Sequence, residues 1–70
     1  MNDSKLTDFG LCVRTELLRM GRSQKWLVDS VREKTGLYID NSYLTKILIG
    51  KRNAPKIVNA ISEIVGVSKQ

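Results

Sequence analysis

The 70-residue chain has no histidine and only one cysteine, Cys12. Without imidazole, the side chain that most often serves acid–base catalysis and zinc ligation is missing. A single thiol closes no internal disulfide and completes no four-ligand metal site, so the chain must fold by packing alone. Aromatic residues supply 6% of the sequence, and proline occurs once, at Pro55. The longest apolar runs are three residues: Leu11–Val13, Trp26–Val28, Leu37–Ile39 and Ile47–Ile49. Such runs neither cross a bilayer nor act as a signal peptide, which sets the expectation of a cytoplasmic protein with no membrane partner. No carboxylate pair, nucleophile–base set or Gly-rich phosphate loop can be assembled, so neither enzyme activity nor a metal or cofactor is expected. Seventy residues suit one domain over 1–70, with one core and no room for a separate sensing domain.

Positive charge is abundant. Twelve Lys and Arg face seven Asp and Glu, for a net charge of +5 and a pI near 9.7. Residues 1–20 are balanced, with Lys5, Arg14 and Arg19 against Asp3, Asp8 and Glu16. Residues 21–40 carry four cations and three anions, and residues 41–70 set Lys46, Lys51, Arg52, Lys56 and Lys69 against Glu63 alone. The excess therefore gathers around 46–56. A polyanion is the expected partner, although basic residues on a small domain also form ordinary solvated surfaces.

Gly21, Gly36, Gly50 and Pro55 divide the chain into four stretches with helical periodicity. Thr7 reads as an N-cap for a helix over 8–20, with Asp8 at its positive end and Phe9, Val13 and Leu17 on one face beside Met20. Ser23 caps a second helix from Gln24 to Thr35, burying Leu27, Val28, Val31 and Thr35. Its outer face holds Lys25, Asp29, Arg32 and Glu33. Leu37-Tyr38-Ile39 leans toward β, but nothing else in the chain could pair with it, so 37–40 is read as a structured turn tucked on the core. A third helix over 41–49 buries Leu44, Ile47 and Leu48, with Ile49 near the edge. Pro55 opens a fourth, which presents Ile57, Val58, Ile61, Ile64 and Val65 inward as far as Gly66. Val67 is placed to fold back over the helix end, while residues 1–6 and the last few, 67–70, are expected to fray. The fold class is all-α: four helices, with scope for a short fifth terminal turn.

Phe9-Gly10, Val13-Arg14, Gly21, Ser23-Gln24, Leu27, Ile39, Leu44, Gly50-Lys51-Arg52 and Pro55 follow an order and spacing that resembles the phage repressor and Cro-like (XRE-type) helix-turn-helix family. The match spans about residues 9–65. Gln24-Lys25-Trp26-Leu27, Thr35-Gly36-Leu37-Tyr38 and the stretch from Gly50 to Ile57 look like small regulators from prophages and mobile elements of Gram-positive bacteria. The resemblance implies a lambda-repressor-like domain whose third helix enters the major groove of double-stranded DNA. Three departures are visible. Val28 stands where the family has Ala, Arg32 stands where it has a corner Gly, and the connection between helices two and three is lengthened.

With Leu44, Ile47 and Leu48 inward, Asn41, Ser42, Thr45 and Lys46 face outward as candidate base readers. Asn matches adenine N6/N7, Lys matches guanine O6/N7, and Thr offers a hydroxyl and a methyl. Capping is the alternative role for Asn41 and Ser42, and plain solvent exposure for Thr45 and Lys46. Arg22, Ser23, Gln24, Tyr43, Lys51, Arg52, Asn53 and Lys56 are candidates for the DNA backbone. Of these, Ser23 is favoured as a simple N-cap, and Gln24 resembles the family residue that braces the recognition helix. Tyr43 could instead pack beside the lengthened turn. Trp26 is expected to cover residues 36–39, Arg14 to brace helices through a carboxylate, and Cys12 to be a half-buried apolar residue. Leu6, Leu11, Leu18 and Ile49 are surplus apolar positions that could form a dimer surface.

The leading expectation is a transcriptional regulator, in character a phage or mobile-element repressor, that works by occupying an operator, as a homodimer assembled on two half-sites. The rival keeps the fold and drops the DNA: a helical module binding another regulatory protein, as an antirepressor does. Asp40 at the tip of the third helix supports that rival, because a carboxylate near phosphates is unfavourable unless it caps the helix.

Overall fold

A computed structural model describes residues 5–67, and among these the chain forms four helices and no strand. They are α1 (Asp8–Met20), α2 (Gln24–Thr35), α3 (Asn41–Leu48) and α4 (Pro55–Val65). Each of the first three begins where a short polar side chain can take an orphan amide. The Gly10 N–H donates to Thr7 Oγ1 at 3.0 Å, the Trp26 N–H to Ser23 Oγ at 3.0 Å and the Tyr43 N–H to Asp40 Oδ1 at 2.8 Å. The fourth opens on Pro55 and has no side-chain cap. Helix three stops at Leu48, one residue short of expectation, because Ile49 leaves helical geometry as the C-cap and Gly50 follows with φ 85°.

The core is built from α2 packed on α4, α1 on α3 and α4, and α2 on α3. Val13, Leu27, Val31, Leu44 and Ile61 are fully buried at its centre. Among the described residues no polar or charged side chain is buried, so the core itself is held by hydrophobic burial. Gly10 lies at the tightest crossing. A β-carbon there would sit 2.1 Å from the Leu48 carbonyl oxygen, so α1 reaches α3 only with a bare backbone at this point. The same carbonyl accepts the Thr7 N–H at 3.0 Å and the Thr7 hydroxyl at 2.9 Å, which latches the start of α1 to the end of α3.

Several expectations are corrected. Of the turn residues, only Ile39 enters the core; Leu37 is 42% and Tyr38 73% exposed. Ile39 closes that end of the core alone, and the Tyr38 ring lies against the Arg32 guanidinium, 4.9 Å from its centre. Trp26, in the first turn of α2, is half-buried and packs against the core. Its ring carries Arg22, 5.0 Å from the centroid. Cys12 and Met20 are exposed: Cys12 falls outside the Phe9–Val13–Leu17 stripe, and Met20 lies in line with that stripe but is the last residue of α1. Thr35 is only half-buried, with its hydroxyl donating to the Val31 carbonyl at 2.8 Å. Arg14 is exposed and has no carboxylate partner among the described residues. Leu6 and Val67, expected to fray, pack against the core, and Val67 is tied back by its N–H to the Ser62 carbonyl. Among the described residues no fifth helical turn follows α4. Residues 1–4 and 68–70, where the remaining fraying was expected, lie outside the described residues.

Candidate nucleic-acid interface

Helix α3 sorts its residues cleanly. Leu44, Ile47 and Leu48 are buried, whereas Asn41, Ser42, Thr45 and Lys46 are all exposed. Because Asp40 takes the cap, Asn41 and Ser42 are released from that role. The Asp40 carboxylate at the helix tip is thus engaged with the Tyr43 N–H.

Two of the four exposed residues are held by a third side chain from the neighbouring helix. Gln24 Nε2 donates to Asn41 Oδ1 at 2.8 Å and to Thr45 Oγ1 at 3.0 Å. The Thr45 hydroxyl donates in turn to the Asn41 carbonyl at 2.9 Å. Gln24 therefore spans α2 and α3 at the point where α3 begins, setting the Asn41 amide with its oxygen toward α2. The Asn41 amide nitrogen has no acceptor among the described residues, which leaves it available for an external one. Replacing Gln24 with Ala removes both bonds at a surface position. Thermal stability is expected to fall by no more than about 1 kcal/mol. The Asn41 side-chain N–H signals in NMR spectra should meanwhile lose their fixed orientation; unchanged Asn41 signals would show that Gln24 positions nothing.

The basic candidates gather at the other end of α3. The Lys46 carbonyl accepts the Lys51 N–H at 2.8 Å and the Arg52 N–H at 3.3 Å, which folds the loop back against the helix. Arg52 lies over the Tyr43 ring at 5.8 Å. The Tyr43 ring is half-buried against the core and also steadies this surface guanidinium. Lys46 and Lys56 face one groove from α3 and α4, with Ser42 and Asn53 also on its lining. Next to them the first turn of α4 presents amides without a side-chain cap, a favourable position for an anion.

Three of the acids are paired away from α3. Among the described residues the ion pairs are Arg19–Glu16, Lys25–Asp29 and Lys34–Glu63, so Arg22, Lys46, Lys51, Arg52 and Lys56 have no carboxylate against them. Surface pairs of this kind add little stability, but they do remove those anions from the field around α3. Arg22, stacked on Trp26, and Ser23, whose oxygen caps α2, stand beside Gln24 in the chain. Reading the sequence missed Tyr38 as a surface residue. The signal was Arg32, whose charge can hold an aromatic ring outside the core.

Among the described residues no helix is long and apolar enough to cross a membrane. No family model matches the chain, and neither a curated protein nor a solved structure matches it.

Proposed function

We propose that this chain is a sequence-specific binder of double-stranded DNA that regulates transcription by occupying an operator. The observation that carries the reading is the exposed set Asn41, Ser42, Thr45 and Lys46 on α3, with Asn41 and Thr45 braced by Gln24. An α-helix fits the major groove, and a helix carrying amide, hydroxyl and ammonium groups on its outer face can read base edges there. Asn41 would address adenine, Lys46 the O6/N7 edge of guanine, and the Thr45 methyl a thymine. Lys51, Arg52 and Lys56 would hold phosphates on the strand alongside, with Arg22 holding the strand crossed by the start of α2. One subunit covers half a site. Two copies on a palindromic operator are the working unit in this reading, and binding in the cytoplasm at the nucleoid needs no cofactor.

Gel shifts on duplexes selected from a randomised pool test the proposal. A defined motif should be enriched, and Asn41→Ala or Lys46→Ala should each weaken it by about 1–3 kcal/mol, roughly 5- to 150-fold, and relax the preference at one base pair. Both residues are exposed, so the circular dichroism spectrum should not change. Failure to enrich any motif, or variants that bind with unaltered preference, would sink the assignment.

A further inference from the structure

We propose that the groove between the 37–40 turn and the start of α4 is the docking site for an acidic, amphipathic segment of a second protein. Its occupancy would displace DNA. The displacement rests on the DNA-binding reading above, whereas the docking does not.

The groove is open and about 850 Å³ in volume. Leu37, Tyr38, Tyr43 and Ile57 form apolar walls, and Lys46 and Lys56 supply the cations. Leu37 and Tyr38 are among the few large hydrophobic side chains left exposed. A concave site with aromatic and aliphatic walls and a few charged groups has the make-up of a ligand or peptide groove. A sugar–phosphate strand would meet the same cations and amides, but it carries no large apolar group to cover Leu37, Tyr38, Tyr43 and Ile57. A segment with an apolar anchor between carboxylates suits it well. The anchor fills the groove, and the carboxylates meet Lys46, Lys56 and the uncapped amides at the start of α4. Asp40 also lies on the lining and disfavours an occupant that is anionic throughout, which again selects for an apolar centre. Ser42 and Lys46 belong both to this groove and to the outer face of α3, so one surface cannot serve both partners at once.

Selection of a random dodecapeptide phage library on the full chain tests the proposal. The expected winners carry at least two Asp or Glu around a Leu or aromatic anchor. Their NMR footprint should fall on Leu37, Tyr38, Tyr43 and Ile57, and adding them should release the selected duplex. The double variant L37S/Y38S should bind these peptides at least tenfold more weakly while holding DNA within twofold of the parent. Three outcomes overturn the docking site: no enrichment, winners without acidic bias, or a footprint around Leu11 and Leu18 on α1. Loss of DNA binding in the double variant overturns it as well, since the groove would then belong to the DNA contact. If no duplex binds the parent but acidic peptides still fill the groove, the docking stands, and the displacement falls together with the DNA reading.

Discussion

Gly10→Ala is expected to be the most damaging single methyl that can be added to this protein. The new β-carbon would lie 2.1 Å from the Leu48 carbonyl oxygen, and the obstructing atom is backbone, so no rotamer change can relieve it. Either α1 must lift off α3 or the end of α3 must bend. Both responses break the two hydrogen bonds that Thr7 makes to the same carbonyl. Alanine's better helix propensity offsets only about 1 kcal/mol of this. Overpacking of this kind costs about 3 kcal/mol, which leaves about 2 kcal/mol net, and for a domain of this size that corresponds to a fall in Tm of roughly 8–16 °C. Thermal unfolding followed by circular dichroism decides the matter. A variant melting within a few degrees of the parent would mean that α1 and α3 do not approach as closely as described. The neighbouring contact between Thr7 Cγ2 and Gly50, where a β-carbon would come within 2.9 Å, makes the same junction sensitive from its other side.

The second large effect is expected in salt. If Arg22, Lys51, Arg52 and Lys56 hold phosphates along with groups on α3, then about 4–6 phosphates are neutralised per subunit. The slope of log affinity against log salt is then about −4 to −5 per subunit, so raising salt from about 50 to 200 mM weakens binding by roughly 250- to 1000-fold. Removing any one of these cations should lower affinity about equally on all sequences and reduce the slope by about 1. Lys46→Ala should differ, since its loss would change sequence preference as well. Anisotropy of a labelled duplex measured across a salt series gives both numbers. A slope near zero would exclude the phosphate contacts, whatever the base readers do. Lys25 and Lys34 serve as controls, because each is already paired with a carboxylate and should leave the slope nearly unchanged.

Much of the candidate site was legible before any coordinates. The apolar spacing of Leu44, Ile47 and Leu48 turns Ser42 and Lys46 outward and Thr45 to the flank, whereas Asn41 shares the side of Leu44 and Leu48 and is exposed as the first residue of α3. Asp40 was legible as the cap from its position ahead of an apolar-periodic run, and its carboxylate does take the Tyr43 amide. The partners of Asn41 and Thr45 were not legible. Gln24 is separated from them by 17 and 21 residues, and a bond over that distance depends on how α2 and α3 cross. Tyr38 was misplaced for a related reason. Hydropathy said that an apolar trio should be buried, but only Ile39 enters the core, and the exposed Tyr38 ring lies against Arg32.

The single cysteine of the chain is exposed on α1. The sequence by itself determined where each helix begins, which stripe of each turns inward, and that the cationic excess falls between residues 46 and 56. These are local properties, set by caps, glycines and a 3.6-residue period. Only the tertiary structure decided that Gly10 is the crossing point of α1 and α3, that Gln24 braces α3, and that Lys46 and Lys56 face one apolar groove. Each of these depends on close packing between segments far apart in the chain, where a few tenths of an ångström separate contact from collision.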